Sequence, residues 1–159
     1  MNIKEIFKNL KTHFPSHRAF VDPIGNSMVS LVKNSPIIVL NSEDVEQQYF
    51  YKLLSVCTDE EFTNLKEREY TEEAWNEFKK KDEDADSIEG RLYSFICKKI
   101  QEDFSVGVDF NILNVTRKKL VGVDIYCNDP EDVVKKYDTD DAFVLLFADG
   151  SDEDKIKSF

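Results

Sequence analysis

The stretch "SVGVDFNILNVTRKKLVGVDIYC" (residues 105–127) contains the tetrapeptide VGVD twice, and the two copies begin fifteen residues apart. The Val-x-Val alternation in each copy is typical of a half-buried strand, in which side chains at i and i+2 share a face. A turn at Arg117-Lys118 would bring the two copies opposite each other. The pattern therefore predicts an antiparallel hairpin with strands at 106–115 and 120–127.

The two aspartates of the repeat would lie on the polar face of this hairpin. Asp109 and Asp124 would be diagonal neighbours, about 7–8 Å apart. Inverting glycosidases use two carboxyl groups about 6.5–9.5 Å apart, so a catalytic pair is one interpretation. No other feature of the sequence builds a sugar-binding cleft, and aspartate is common on the solvent side of a sheet. We therefore interpret the pair as solvated or partner-binding carboxylates.

Capping residues and apolar periodicity predict the other elements. A helix should end before Pro15, and strands are expected near 28–33 and 37–40. Helices are expected to begin after Asn41 or Ser42, at Thr58 (in a capping box with Glu61), at Thr71, at Ser87 and at Pro130. The segment "AFVLLFA" is interpreted as a buried strand.

This order of elements predicts an α+β fold. The sheet should be mostly antiparallel, include the 106–115/120–127 hairpin and pack against the amphipathic helices. We expect residues 1–159 to form one domain with a polar tail from about residue 150.

The chain is acidic, with a formal net charge of −11. Residues 129–154 contain ten acidic side chains and only two basic ones, Lys135 and Lys136. Nucleic acids and anionic membranes require a basic surface, so the composition argues against both as direct ligands. It favours a basic protein as the partner.

The three cysteines, Cys57, Cys97 and Cys127, form no CxxC motif. An odd, widely spaced set indicates neither a disulfide framework nor a zinc knuckle and suggests a reducing compartment. The N-terminal sequence lacks the apolar core of a signal peptide, and no window resembles a membrane span. These features predict a cytoplasmic protein.

Metal-binding and catalytic motifs are weak or missing. His13 and His17 have the spacing of two metal ligands on a helix, but Pro15 between them interrupts that helix. The "DEDADSIEG" segment has Ser87 where a calcium loop needs glycine. The sequence contains no GxSxG, P-loop, GxGxxG or HExxH motif. We expect no metal and no cofactor, and we favour a binding protein over an enzyme.

The leading hypothesis is a small cytoplasmic inhibitor of the immunity-protein type, which docks an acidic face over the active site of a basic, nuclease-like toxin or enzyme. The residues expected to bind the partner are Asp109, Asp124, Tyr126, Asp138, Asp140 and Asp141. One alternative is a hydrolase that uses paired carboxylates or a thiol. Another is an adaptor or regulatory subunit that binds through an exposed helix carrying Trp75 and Phe78.

Overall fold

The computed structural model describes residues 18–23, 35–81 and 84–144, which contain helices and one sheet. The helices are α1 Val45–Val56, α2 Asp59–Glu67, α3 Glu72–Lys80, α4 Ile88–Ile100, α5 Phe110–Leu120 and α6 Pro130–Lys136. The strands are β1 Ala19–Asp22, β2 Ile37–Asn41, β3 Asp124–Tyr126 and β4 Ala142–Val144, and a 3₁₀ turn spans Phe104–Val106. The predicted first helix, the strand near 28–33 and the tail from about 150 lie outside the described residues.

The sheet is parallel, so the prediction of a mostly antiparallel sheet is wrong. Its strand order is β3-β2-β1-β4, and β1 pairs with both β2 and β4. β2 pairs with β3 in the register Val39 to Asp124 and Asn41 to Tyr126. Strands covered on both faces need continuous apolar runs, and the first three residues of β1 (AFV) and the first four of β2 (IIVL) are such runs.

The predicted 106–115/120–127 hairpin is also wrong, because residues 110–120 form α5. Asp109 is the N-cap of this helix, and its Oδ1 accepts hydrogen bonds from the backbone N–H groups of Asn111 and Ile112, both at 3.1 Å. Basic side chains occupy the last turn, where they complement the helix dipole. The Val-x-Val residues lie outside this helix, and within it Phe110, Leu113 and Leu120 follow a helical period.

The repeated VGVD marks the two ends of α5. Gly107 precedes the helix with φ 70° and Gly122 follows it with φ 78°, and glycine adopts this left-handed region without a Cβ clash. The first copy leads into the helix through Asp109, whereas the second leads into β3 at Asp124. The repeat therefore reflects two glycine-containing turns, one before α5 and one after it.

The described residues separate into two compact units, with the boundary inside α1 between Gln48 and Tyr49. We call the part that runs up to Gln48 and resumes at Gly122 the sheet unit, and residues 49–121 the helical unit. In the sheet unit, Val21, Val39 and Val133 are almost fully buried, so α6 packs against the sheet. The expectation of one domain over the whole chain stays a prediction.

Aromatic and aliphatic side chains form the core of the helical unit. Leu54, Leu65 and Leu92 are fully buried, and the ring of Phe50 stacks on Phe95 with centroids 4.2 Å apart. The capping box predicted at Thr58 is present and opens α2, since Thr58 and Glu61 exchange hydrogen bonds at 2.8 and 3.1 Å. Thr71 and Ser87 cap α3 and α4 as predicted.

No helix among these described ranges combines the length and apolarity that a membrane span would need.

Candidate protein-docking surface

Negative charge predominates among the described residues of the sheet unit. Its described residues include eleven acidic and three basic side chains. The described residues of the helical unit include fourteen acidic and twelve basic side chains. Over their full sequence ranges the sheet unit holds sixteen acidic and nine basic side chains, and the helical unit holds sixteen and twelve. The sharpest excess of negative charge is therefore local: residues 124–141 contain seven acidic side chains and two lysines.

The structure brings five of the six predicted partner-binding residues into the sheet unit. Asp124 and Tyr126 lie on β3, and Asp138, Asp140 and Asp141 lie between α6 and β4. The sixth, Asp109, lies in the helical unit, where its carboxylate caps α5. The predicted pairing of Asp109 with Asp124 across a hairpin is wrong, because these residues belong to different elements and different units.

Asn41 connects the carboxyl ends of the strands in the sheet unit. Its side chain is fully buried, and its Nδ2 donates to the backbone oxygens of Pro23 at 2.8 Å and Asn128 at 3.0 Å. Its Oδ1 accepts from the backbone N–H of Asn128 at 2.9 Å. These three bonds fix the chain where it leaves β1 and β3, just before the acidic segment 129–141.

Gln48, on the first turns of α1, fixes the end of β3 in a similar way. Its Nε2 donates to the backbone oxygens of Leu40 at 3.2 Å and Tyr126 at 2.6 Å. The Gln48 side chain is buried, and its Oε1 has no hydrogen-bond partner among the described residues. β3 is thus held by side-chain bonds in addition to its ladder with β2.

Two tyrosines and a lysine form a cluster beside the acidic residues. The hydroxyl oxygens of Tyr126 and Tyr137 are 3.0 Å apart, and the rings meet edge to face with centroids 6.4 Å apart. Lys136 Nζ donates to the Tyr126 hydroxyl at 3.1 Å and lies 4.6 Å from that ring's centroid. Both tyrosine side chains are half-buried, so each presents part of a ring to solvent.

The environments of the two phenols push their acidities apart. The hydrogen bond with Tyr137, supported by the one from Lys136, lowers the pKa of Tyr126. Burial, and then the hydrogen bond with Tyr126, raises the pKa of Tyr137. Each phenol has one hydroxyl proton, and only one of the two is used in the hydrogen bond between Tyr126 and Tyr137. The other hydroxyl proton can be donated to an acceptor on a partner.

Most of the surrounding carboxylates are exposed and lightly engaged. Asp124, Asp138 and Asp140 make no side-chain hydrogen bond or ion pair with any described residue. Asp141 accepts a hydrogen bond from Thr139 Oγ1 at 2.7 Å, and Lys135 pairs with Glu131 at 2.8 Å. The segment from Asp124 to Asp141 therefore presents several carboxylates that form no ion pair with the described cations of this unit.

The thiols offer little support for a nucleophilic mechanism. Cys57 and Cys97 are buried, and burial, followed by the charge of Glu61, raises the pKa of Cys57 to about 11. Burial also raises the pKa of Cys97. A nucleophilic cysteine needs the opposite shift. Cys127 is exposed.

The adaptor hypothesis assigned Trp75 to an exposed helix face, and the structure places it inside. Only 6% of Trp75 is exposed, and its ring stacks on Phe78 with centroids 5.8 Å apart. Trp75 is therefore a core residue of the helical unit.

Within the part of the chain that the structure describes, no three His, Cys, Asp or Glu side chains cluster in a way that could hold a metal ion. His13 and His17 lie outside these residues. Of the acidic calcium-like segment, Asp82 also lies outside them, and Asp84 and Asp86 form ion pairs with Arg68 and Arg91.

Sequence reasoning missed Gln48 and Lys136 and assigned Asn41 only a capping role. Gln48 is buried, but it lies on a different side of α1 from Phe50 and Leu54, so the apolar periodicity of this helix gave no signal for it. Val45, Tyr49 and Val56, which also lie on α1, are exposed. Lys136 carries no sequence signal that distinguishes it from its neighbour Lys135.

No protein-family model matches this chain, and no curated protein is significantly similar to it.

Proposed function

We propose that this protein binds a basic protein through the acidic surface of its sheet unit and thereby blocks that partner. The surface consists of Asp124, Tyr126, Tyr137, Asp138, Asp140 and Asp141. A partner that acts on nucleic acids, such as a nuclease toxin, has a positively charged cleft that suits such a surface. An immunity-type inhibitor in the cytoplasm is the biological role that this chemistry fits best.

The observation that carries the proposal is the local excess of negative charge over residues 124–141. Seven acids and two lysines lie in this stretch, and Asp124, Asp138 and Asp140 form no ion pair with any described residue. If acidic residues served only solubility, no one segment would need to concentrate them. A concentrated field steers a basic partner and raises association towards about 10⁸–10⁹ M⁻¹s⁻¹, against 10⁵–10⁶ for neutral pairs.

The tyrosine pair supports the same surface as an interface. Binding energy in protein interfaces is concentrated in aromatic anchors surrounded by polar residues. Tyr126 and Tyr137 are half-buried, already ordered by their mutual hydrogen bond, and flanked by exposed aspartates. Pre-ordered rings lose little conformational entropy when a partner covers them.

The test compares two triple variants that remove the same charge from different units. Asp138, Asp140 and Asp141 are changed together to Asn in one, and Glu60, Glu67 and Glu102 together to Gln in the other. The full-length proteins are used to capture a stoichiometric partner from the native host, and the association rate is then measured with the purified partner at several salt concentrations.

We expect the sheet-unit variant to associate about tenfold more slowly and with a shallower salt dependence, since steering depends on the local field. The helical-unit variant should keep the wild-type rate. Equal rates for the wild type and the sheet-unit variant would refute the proposal, as would a captured partner without a basic surface.

A further inference from the structure

The helical unit contains a cavity of about 270 Å³ beside α3. Its lining includes Arg68, Glu69, Glu77, Phe78, Lys81 and Tyr93. Pockets for drug-sized ligands measure about 300–1,000 Å³, so this one has room for a small molecule or a single side chain. It shares no residue with the acidic surface of the sheet unit.

One wall of the cavity is aromatic and already holds a cation. The rings of Phe78 and Tyr93 meet edge to face with centroids 4.9 Å apart. The guanidinium carbon of Arg68 lies 4.9 Å from the centroid of Tyr93 and 5.6 Å from that of Phe78. Cations bind ring faces within about 6 Å of the centroid, so Arg68 shows which ligand chemistry this wall attracts.

Carboxylates outnumber cations around this cavity. Arg68 is itself engaged, because its Nε donates to Glu89 at 2.6 Å and its Nη2 lies 3.6 Å from Asp84. Lys81 is then the only other cation in the lining, against Glu69 and Glu77. None of these three side chains forms an ion pair with a described residue. The local balance is therefore negative and favours a cationic ligand.

We propose that this cavity binds a small organic monocation with an apolar body, of the alkylammonium or alkylguanidinium class. The charged end would be balanced by Glu77 and Glu69, and the alkyl body would contact the half-buried ring of Phe78. An inorganic cation would leave the apolar contact with Phe78 unused. The site is independent of the docking function proposed above.

The protein contains a single tryptophan, which reports on this cavity. Trp75 stacks on Phe78 and lies 6.3 Å from Tyr93 between ring centroids. Titration of the full chain with n-butylguanidinium or n-butylammonium should change its emission and reach saturation. Butyrate and 1-butanol, which match the alkyl body without the positive charge, should produce no saturable change.

Three variants connect the emission change to the cavity. Removing a carboxylate by Glu77→Gln should weaken butylguanidinium binding about three- to fivefold, because an exposed ion pair contributes up to about 1 kcal/mol. Lys81→Gln removes a repelling charge and should strengthen binding by a similar factor. Glu73→Gln, on the same helix but outside the lining, should change nothing.

The proposal is overturned if butyrate binds as well as the cations, or if Glu77→Gln and Lys81→Gln leave the affinity unchanged or shift it in the same direction. Circular dichroism of each variant checks that it is folded. A blocked Gly-Arg-Gly peptide tests the source of the cation. If this peptide binds no more tightly than butylguanidinium, the ligand is a free small molecule, as proposed. Much tighter binding of the peptide would contradict this and identify the ligand as an arginine side chain of another protein.

Discussion

The side-chain amide of Asn41 forms hydrogen bonds with both backbone groups of Asn128, eighty-seven positions later in the sequence. Nδ2 donates to the Asn128 carbonyl at 3.0 Å, and Oδ1 accepts from the Asn128 N–H at 2.9 Å. The amide thus continues the parallel pairing of β2 and β3 beyond the last ladder bond. It fixes the position at which the acidic segment leaves the sheet.

Changing Asn41 to Asp should destabilise the protein by about 2–4 kcal/mol. The carboxylate has nearly the same shape, but it cannot donate to Pro23 or Asn128 and would place a charge in a fully buried site. Urea unfolding followed by circular dichroism measures the loss. Asn111→Asp, at an exposed position of α5, is the matched control and should stay within about 0.5 kcal/mol of wild type. Equal stability of the two variants would contradict this role for Asn41.

The ion pair between Asp59 and Arg117 should make the helical unit sensitive to acid. The hydrogen bond from Arg117 Nη2, at 2.5 Å, and its positive charge lower the pKa of Asp59 below its ordinary value of 3.8. A lowered folded-state pKa means that the stabilisation is present above the unfolded value. It is lost as the pH falls through the folded value.

Asp59→Asn should therefore be less stable than wild type at pH 7, and the difference should shrink as the pH falls below 3.8. Urea unfolding at a series of pH values measures the difference. Glu60→Gln is the control, because Glu60 lies in the same first turn of α2 and forms no ion pair with Arg117. If both variants show the same pH profile, the helix dipole and not Arg117 is responsible.

The three cysteines should differ strongly in reactivity. Cys127 is exposed, whereas Cys57 and Cys97 are buried with raised pKa values, that of Cys57 reaching about 11. At pH 8 almost all of the Cys57 thiol is protonated, and the thiolate is the reactive form. Iodoacetamide should label Cys127 first by a factor of about 100 or more.

Peptide mass spectrometry after timed labelling measures the three rates, and protein unfolded in urea supplies the reference in which all three thiols react. Labelling of Cys57 at the rate of Cys127 would show that the site opens readily, which would revive a thiol mechanism.

Local signals in the sequence were sufficient for much of the secondary structure. Thr58 with Glu61, Thr71, Ser87 and Pro130 mark helix starts that the structure contains, because capping depends on a few neighbouring residues. The strand predicted at 37–40 is also present as β2. Each of these predictions required only short-range information.

The prediction from the repeated VGVD was wrong because it extended the strands from the two copies over the residues between them. Over residues 110–120 the apolar positions Phe110, Leu113 and Leu120 also follow a helical period, and Asp109 supplies an N-cap. The positive φ angles of Gly107 and Gly122 end the strand-like runs on each side. A reading that weighed the cap and the basic last turn would have chosen the helix.

The sheet shows the limit of sequence reasoning most clearly. The continuous apolar runs of β1 (AFV) and β2 (IIVL) are the composition of parallel, doubly covered strands, so that signal was present in the chain. The sequence does not show which strands pair, because β2 and β3 are neighbours in the sheet although the residues of the helical unit lie between them along the chain.

The amino-acid sequence by itself determined the net charge, most helix starts and the acidic character of residues 129–141, because these depend on composition and near neighbours. Only the tertiary structure decided that Asn41 and Gln48 anchor β3, that Tyr126 meets Tyr137, and that Arg68 covers two aromatic rings. Each of those relationships joins residues brought together by packing, and buried polar groups accept only partners that the fold supplies at hydrogen-bond distance.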